Sequence, residues 1–120
     1  MTLEVWSARL STRDKDAFNI TRKSGSKIFA PSWGTLRPIL ELNQAKLEVS
    51  ERDWKIYARA YLEEMSRSYR INRKEWEALL ERERVVLTCY CTLPTRCHRT
   101  ILGKILGRLG AVYYGELEHL

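Results

Sequence analysis

The chain has 120 residues, 44% of them hydrophobic, so it is long enough for one domain with its own core and too apolar for a disordered chain. No apolar run approaches the roughly 20 residues of a membrane-spanning helix, and no secretory signal is visible, so we expect a cytoplasmic protein without membrane contact. Lys and Arg number 21 against 15 Asp and Glu, and this charge of +6 suits an anionic partner such as nucleic acid, nucleotide or phosphate.

The first predicted element is a strand over residues 3–10 (LEVWSARL), which mixes β-branched, aromatic and aliphatic side chains. Residues 11–43 show little periodicity, and a stretch of that kind in a compact domain is usually functional or mobile. Within it, residues 27–30 fit a short strand and residues 33–42 a short helix whose course Pro38 restricts.

Two predicted helices follow. Ser50 and Asp53 resemble a capping box before the first, and Asn72 with Glu75 marks the start of the second. Aromatic and aliphatic side chains recur at helical spacing in the first of them: Trp54, Tyr57, Ala58, Tyr61, Leu62 and Met65. Such a stripe is typical of a core-facing helix, and a base-stacking surface is the alternative.

The last third of the chain predicts a strand, a helix and a second strand. Residues 85–91 form a nearly continuous apolar run, residues 101–109 have helical spacing with Gly110 as the stop, and residues 111–114 fit a strand. A βαβ unit of this kind favours a parallel sheet. We therefore predict a single α/β domain over residues 1–120, with a mainly parallel, Rossmann-like sheet flanked by helices.

The triplet Cys97-His98-Arg99 falls at the predicted start of the last helix. A helix N-terminus binds anions, and cations there oppose the helix dipole unless something negative is bound. Arg96 and Arg99 at this place, with no acidic residue until the helix has ended, therefore indicate a phosphate or carboxylate site. The alternative is that both arginines reach solvent or pair with Glu81 and Glu83.

The three cysteines allow further interpretations. A disulfide framework is not expected from an odd number without an export signal, and Cys89 and Cys91 lie two residues apart in one strand, so we expect free thiols. A helix N-terminus lowers a thiol pKa, which makes Cys97 a candidate nucleophile and His98 a candidate base, against the alternative of a packed thiol. The four residues Cys89, Cys91, Cys97 and His98 are candidate zinc ligands, although their spacing departs from paired zinc knuckles.

Further candidate ligand-binding residues follow from the rule that ligands bind outside the carboxyl ends of parallel strands. Arg9 ends the first predicted strand, and Cys91 ends the strand before the Cys-His-Arg triplet. The irregular segment after the first strand supplies hydroxyls, an amine and a flexible backbone for an anion through Thr21, Lys23 and Ser24. A solvated turn is the alternative for that segment.

The order of several short motifs resembles the family known as domain of unknown function 488. The motifs are NITRKSG at 19–25, FAPSW at 29–33, Tyr57 and Tyr61, residues 65–69, Trp76 with Leu79 and Leu80, LTCYC at 87–91, Cys97-His98-Arg99, and Gly110-Ala111 with Tyr113, Gly115 and Glu116. The resemblance implies a small α/β protein whose family has no established reaction. Relatives often carry Asp where this chain has Asn19, which would impair the protein if that carboxylate were a catalytic base. The polar positions matched to the family are Asn19, Thr21, Lys23, Ser24, Trp33, Cys89, Cys91, Cys97, His98, Arg99 and Glu116.

The leading hypothesis is a protein that binds a nucleotide or another phosphate-bearing ligand at the helix start over residues 96–99, with nucleotide or nucleic-acid processing as the activity if it is an enzyme. His98 would then do acid–base work, while Arg99 and Lys23 neutralise charge. A non-enzymatic nucleic-acid-binding module with exposed Trp33 and Tyr114, and a thiol or zinc protein, are the alternatives. The charge excess is dispersed along the chain, which is equally typical of an ordinary surface. No cofactor is predicted outside the zinc alternative, and the oligomeric state is left open.

Overall fold

The computed structural model describes residues 2–90 and 97–117. In chain order the elements are β1 (Glu4–Arg9), β2 (Ala17–Asn19), α1 (Trp33–Gln44), α2 (Glu51–Ile71), α3 (Arg73–Leu80), β3 (Arg84–Cys89), α4 (His98–Arg108) and β4 (Val112–Glu116). The predicted helices and the strands at both ends of the chain are confirmed. Residues 27–30 form turns, and the prediction of a strand there is wrong.

The four strands form one parallel sheet in the order β2-β3-β1-β4. The predicted α/β class and parallel sheet are confirmed, and the Rossmann-like assignment stays a prediction. The missed strand, β2, is a three-residue edge strand, with Ala17 exposed and Asn19 half-buried. Its three residues are too few to show an apolar run or the alternation of a strand.

The core lies between the sheet and three helices. Val5 of β1 and Val85 and Leu87 of β3 belong to the buried cluster together with side chains of α2, α3 and α4, namely Tyr61, Met65, Trp76, Leu79, Leu102 and Leu106. The aromatic stripe of α2 is therefore core at Tyr57 and Tyr61, as its periodicity indicates. Burying large apolar side chains of this kind stabilises a fold by about 1.5–3 kcal/mol each.

Helix α2 begins where the sequence predicts. The Ser50 side chain accepts a hydrogen bond from the Asp53 backbone N–H, which satisfies one of the unpaired donors of the first turn. Within the described residues, no helix is both long and apolar enough to span a membrane.

Because all four strands run in the same direction, the segments that follow β1, β2 and β3 leave the sheet at the same edge. Arg9 ends β1, Thr21 follows β2 closely, and Tyr90 follows β3 directly. Helix α4 begins at this edge with His98, because Cys97 is its N-cap residue. The edge therefore assembles residues from both ends of the chain.

Candidate functional site

A cavity of about 360 Å³ opens at the carboxyl edge of the sheet. One wall is apolar and comes from α1, through Trp33, Leu36, Ile39 and Leu40. The opposite side is polar and is lined by Thr21, Arg22, Lys23, Tyr90 and His98, while Asn43 adds a polar group from α1 itself. Helix α1 has no buried residue, so its apolar face lines a cavity rather than the core.

Glu64 of α2 holds α1 in this position. Its carboxylate accepts the Ser32 backbone N–H at 2.8 Å, the Ser32 hydroxyl at 2.6 Å and the Thr35 hydroxyl at 2.7 Å. Ser32 is also the N-cap of α1 and accepts the Thr35 N–H. Partial burial raises the pKa of Glu64, but the hydrogen bonds from Ser32 and Thr35 outweigh it and leave the pKa below the usual 4.5. The N-terminus of α1 is therefore anchored through an ionised carboxylate.

A tight turn after β2 forms the polar side of the cavity. The Asn19 amide donates to Ser24 Oγ at 2.9 Å, and Asn19 Oδ1 accepts the Thr21 N–H at 2.9 Å. Ser24 Oγ also lies 3.0 Å from Thr21 Oγ1 and 3.1 Å from the Tyr90 hydroxyl. Gly25 closes the turn, since a Cβ there would overlap two oxygens of Asn19. In this turn Asn19 acts as a hydrogen-bond donor, a role that an ionised Asp does not fill.

His98 lies at the inner end of the cavity and is 4% exposed. Its Nε2 is 2.8 Å from the Ile20 carbonyl oxygen, and because a carbonyl only accepts, Nε2 carries the proton. Burial lowers the pKa of His98 to about 4, with the nearby Arg99 charge acting in the same direction and the Ile20 bond opposing both. The imidazole is therefore neutral at pH 7, and its unprotonated Nδ1 lies 3.9 Å from Cys97 Sγ.

Arg99 lies behind the cavity and is fully buried. It donates from Nη2 to Glu116 Oε1 at 2.8 Å, from Nε to Glu116 Oε2 at 3.1 Å, and from Nη1 to Cys89 Sγ at 3.1 Å. Burial raises the pKa of Glu116, but hydrogen bonds from Arg99 and Ser7 outweigh it and hold the pKa below 4.5. Ser7 bridges Glu116 and the Tyr113 hydroxyl, so β1, β4 and α4 meet in one buried polar network. The alternative that Arg99 pairs with Glu81 and Glu83 is therefore wrong, because its carboxylate partner is Glu116.

Cys89 and Cys97 have their sulfur atoms in contact as a disulfide, so the expectation of free thiols is wrong for this pair. The expectation rested on the spacing of Cys89 and Cys91 within one strand. In the fold, the end of β3 and the start of α4 place Cys97 next to Cys89. The Cα atoms of the pair are 7.8 Å apart. Ordinary disulfides have Cα separations of about 4.4–6.8 Å. The Cys89, Cys97 and His98 ligand atoms all lie within 4.8 Å of one another.

The structure divides the predicted site residues into groups. Thr21, Lys23, Trp33 and His98 line the cavity together. Asn19 and Ser24 shape its turn, while Cys89, Cys97, Arg99 and Glu116 form the buried polar layer behind it. Arg9 is exposed and lines a neighbouring depression of about 370 Å³ with Leu10, Ser11 and Tyr90. Cys91 and Arg96 lie outside the described residues, so their predicted roles stay predictions.

Several cavity residues escaped the sequence analysis. Tyr90 is one of them, since it is 57% exposed although it follows a strand that is almost wholly buried. Arg22 is another, and it adjoins the predicted residue Lys23. The apolar face of α1 is indicated in the sequence by Trp33, Leu36 and Leu40, which recur every three to four residues.

Comparison with known proteins identifies the family of the chain. A family model described as the active DUF488-N3 subclade, DUF488-N3a, matches residues 4–110. The chain belongs to the DUF488 family. The match spans every described strand but β4, and covers both the turn after β2 and the Cys-His-Arg triplet of this DUF488 protein. No curated protein and no solved structure matches the chain.

Proposed function

We propose that this DUF488 protein is an enzyme that binds a nucleotide in the cavity between α1 and the carboxyl edge of the sheet. The observation that carries the proposal is the composition of one cavity, which combines an aromatic and aliphatic wall with two cations. Small-molecule sites are mostly apolar with a few convergent polar groups, and parallel sheets bind their ligands at this edge.

The base of the nucleotide is assigned to the space between α1 and Tyr90. Trp33 is 44% exposed and Tyr90 is 57% exposed at the cavity, so both rings have free area for stacking. Stacking of a base on an aromatic side chain contributes about 1–3 kcal/mol. Leu36 and Leu40 extend the same wall.

The phosphate is assigned to Arg22 and Lys23. Lys23 is exposed in the turn after β2, and Arg22 Nε is buried without a hydrogen-bond acceptor among the described residues. Arg99, the cation expected from the sequence, is held by Glu116 and does not line the cavity. The charge of the ligand is therefore neutralised by the turn.

Support for an enzyme rather than a passive binder comes from two sources. The matching subclade is described as active. His98, which is neutral at pH 7, lines the cavity, and the buried pair of Cys89 and Cys97 lies directly behind it. Groups with strongly shifted pKa values in a cleft are typical of active sites.

The test is calorimetric binding of a panel of nucleoside mono- and triphosphates, with the matching nucleosides as controls for the phosphate contribution. Binding by at least one nucleotide is expected, with the nucleoside weaker by tenfold or more. Lys23→Ala should weaken nucleotide binding by about ten- to a hundredfold, because a charge-assisted hydrogen bond contributes about 1.5–3 kcal/mol. Lys104→Ala is the matched control, since Lys104 is an exposed lysine of α4 away from the cavity. A panel without any binding, or equal losses in both variants, would overturn the proposal.

The nucleic-acid-binding module has weaker support. Trp33 and Tyr114 are both exposed as that hypothesis expects, but Tyr114 stacks on Trp6 at 5.0 Å and does not line the cavity. The two aromatic residues therefore do not form one stacking surface. Binding of oligonucleotides but of no mononucleotide, with a steep salt dependence, would favour the module instead.

A further inference from the structure

Three soft potential ligands meet where β3 ends and α4 begins. Cys89 is the last residue of β3, Cys97 is the N-cap of α4, and His98 is its first residue. All three are buried, and one ligand atom from each lies within 4.8 Å of the others. The fold thus brings together residues that lie up to nine positions apart in the sequence.

The protonation of His98 suits a metal ligand. Its Nε2–H donates to the Ile20 carbonyl oxygen at 2.8 Å, which leaves the Nδ1 lone pair on the side of Cys97 Sγ. Metal-binding histidines almost always donate their second ring N–H to a carbonyl, a carboxylate or water, because this bond fixes the tautomer and the ring orientation. The Ile20 carbonyl already supplies that outer contact.

The two cysteines favour a bridging ion over a lasting bond with each other. Their Cα atoms are 7.8 Å apart, beyond the roughly 6.8 Å upper limit of ordinary disulfides. Arg99 Nη1 donates to Cys89 Sγ at 3.1 Å, and a guanidinium beside a sulfur stabilises the thiolate form that binds metals.

We propose that the reduced protein binds one Zn²⁺ ion through Cys89 Sγ, Cys97 Sγ and His98 Nδ1. Two thiolates and an imidazole are a donor set that Zn²⁺ accepts, and both thiols release their protons on binding. Three ligands among the described residues leave one position of a tetrahedral site for water or a bound ligand, and one of the three, His98, also lines the cavity. Three protein ligands and one exchangeable position are typical of catalytic zinc. The metal site goes beyond the proposed function, because it does not depend on which ligand occupies the cavity.

The test begins with the full chain purified under reducing conditions without added metal or chelator. Elemental analysis should find about one zinc per chain. After removal of the metal, titration with Co²⁺ should saturate at one equivalent and give the thiolate-to-cobalt absorption of a tetrahedral site. No zinc in the purified protein together with no cobalt spectrum in the reduced, metal-free protein would overturn the proposal.

Variants assign the ligands. Cys97→Ser and His98→Gln should each weaken Co²⁺ binding at least tenfold, whereas Cys91→Ser should keep one equivalent with the same affinity. Loss of cobalt binding in Cys91→Ser would overturn the open fourth position. Circular dichroism of each variant checks that it folds.

A thiol count on the unmodified protein keeps the proposal testable even if the variants do not fold. Protein that was purified under reducing conditions is denatured in the presence of a chelator, and three reactive thiols are expected. In the folded protein without chelator, bound zinc should protect two of these thiols. One reactive thiol in the denatured protein would mean that the disulfide persists under reducing conditions and would overturn the zinc site. Nucleotide binding measured on the metal-free protein separates a failure of this site from a failure of the proposed function.

Discussion

Two glycines of α4, one helical turn apart, offer a matched test of the buried network behind the cavity. A Cβ on Gly103 would lie 2.6–2.7 Å from three ring atoms of Tyr113, whereas a Cβ on Gly107 would meet nothing within 4 Å. The Tyr113 ring is not free to move aside, because its hydroxyl lies 2.7 Å from Ser7 Oγ, and Ser7 in turn binds Glu116. Gly103→Ala therefore forces the ring or α4 out of place.

The magnitudes follow from two opposing effects. Replacing glycine by alanine inside a helix stabilises it by about 0.5–1 kcal/mol, and this gain applies to both positions. Overpacking a fixed neighbour costs about 1–3 kcal/mol, and this cost applies at Gly103 alone. Gly107→Ala should therefore be more stable than the wild type, and Gly103→Ala less stable than Gly107→Ala by about 1–3 kcal/mol.

Urea unfolding followed by circular dichroism measures both variants against the wild type. The contact with Tyr113 is isolated by repeating Gly103→Ala in a Tyr113→Ala background, where the substitution should become stabilising. An unfolding midpoint for Gly103→Ala equal to or above that of Gly107→Ala would refute the reasoning.

Three further predictions concern the turn, the anchor of α1 and the ion pair behind the cavity. Gly25→Ala should lower the free energy of unfolding by about 2 kcal/mol or more, because the new Cβ would lie 2.6 Å from the Asn19 carbonyl carbon. A urea unfolding curve equal to that of the wild type would contradict this. The lowered pKa of Glu64 stabilises the fold above about pH 4.5, and this stability is lost as the pH falls through the folded-state pKa. Glu64→Gln should therefore reduce the loss of stability at acid pH in a pH series of urea unfolding, and an unchanged pH dependence would contradict this. Glu116→Gln should destabilise the fold by about 3 kcal/mol because it removes the negative charge that Glu116 places beside the buried Arg99. A folded sample at low temperature should still bind nucleotide as the wild type does. A calorimetric affinity loss larger than that of Lys23→Ala would instead place Arg99 at the ligand.

The elements that the sequence predicts are those with a strong local signal. Helix α2 has a serine cap and a stripe of aromatic residues, and β3 has an unbroken apolar run. Strand β2 has neither, because its three residues are ordered by pairing with β3, whose partners lie almost seventy positions away. Pairing at that distance leaves no periodic trace in a three-residue segment, so local patterns do not reveal it.

The candidate site was predictable to the extent that it obeys a rule of topology. Thr21 and Lys23 are predicted because the carboxyl ends of parallel strands meet at one edge, where the cavity lies. His98 is predicted from its place at the start of α4. The apolar wall was not found, since Leu36 and Leu40 have the spacing of an ordinary core helix. The tertiary structure shows that this face lines a cavity, since α1 has no buried residue.

Arg99, at the start of α4, has a partner that the local sequence does not reveal. The first turn of α4 has no acidic residue, and a buried guanidinium beside the positive end of a helix dipole needs a negative partner. That inference predicted a bound phosphate or carboxylate. A carboxylate is present, but it is Glu116, which follows Arg99 by 17 residues and reaches it because β4 pairs with β1. The sequence therefore indicates that Arg99 needs a negative partner, whereas only the tertiary fold shows that this partner is Glu116. For this reason the proposed function assigns the charge of the ligand to Arg22 and Lys23 instead.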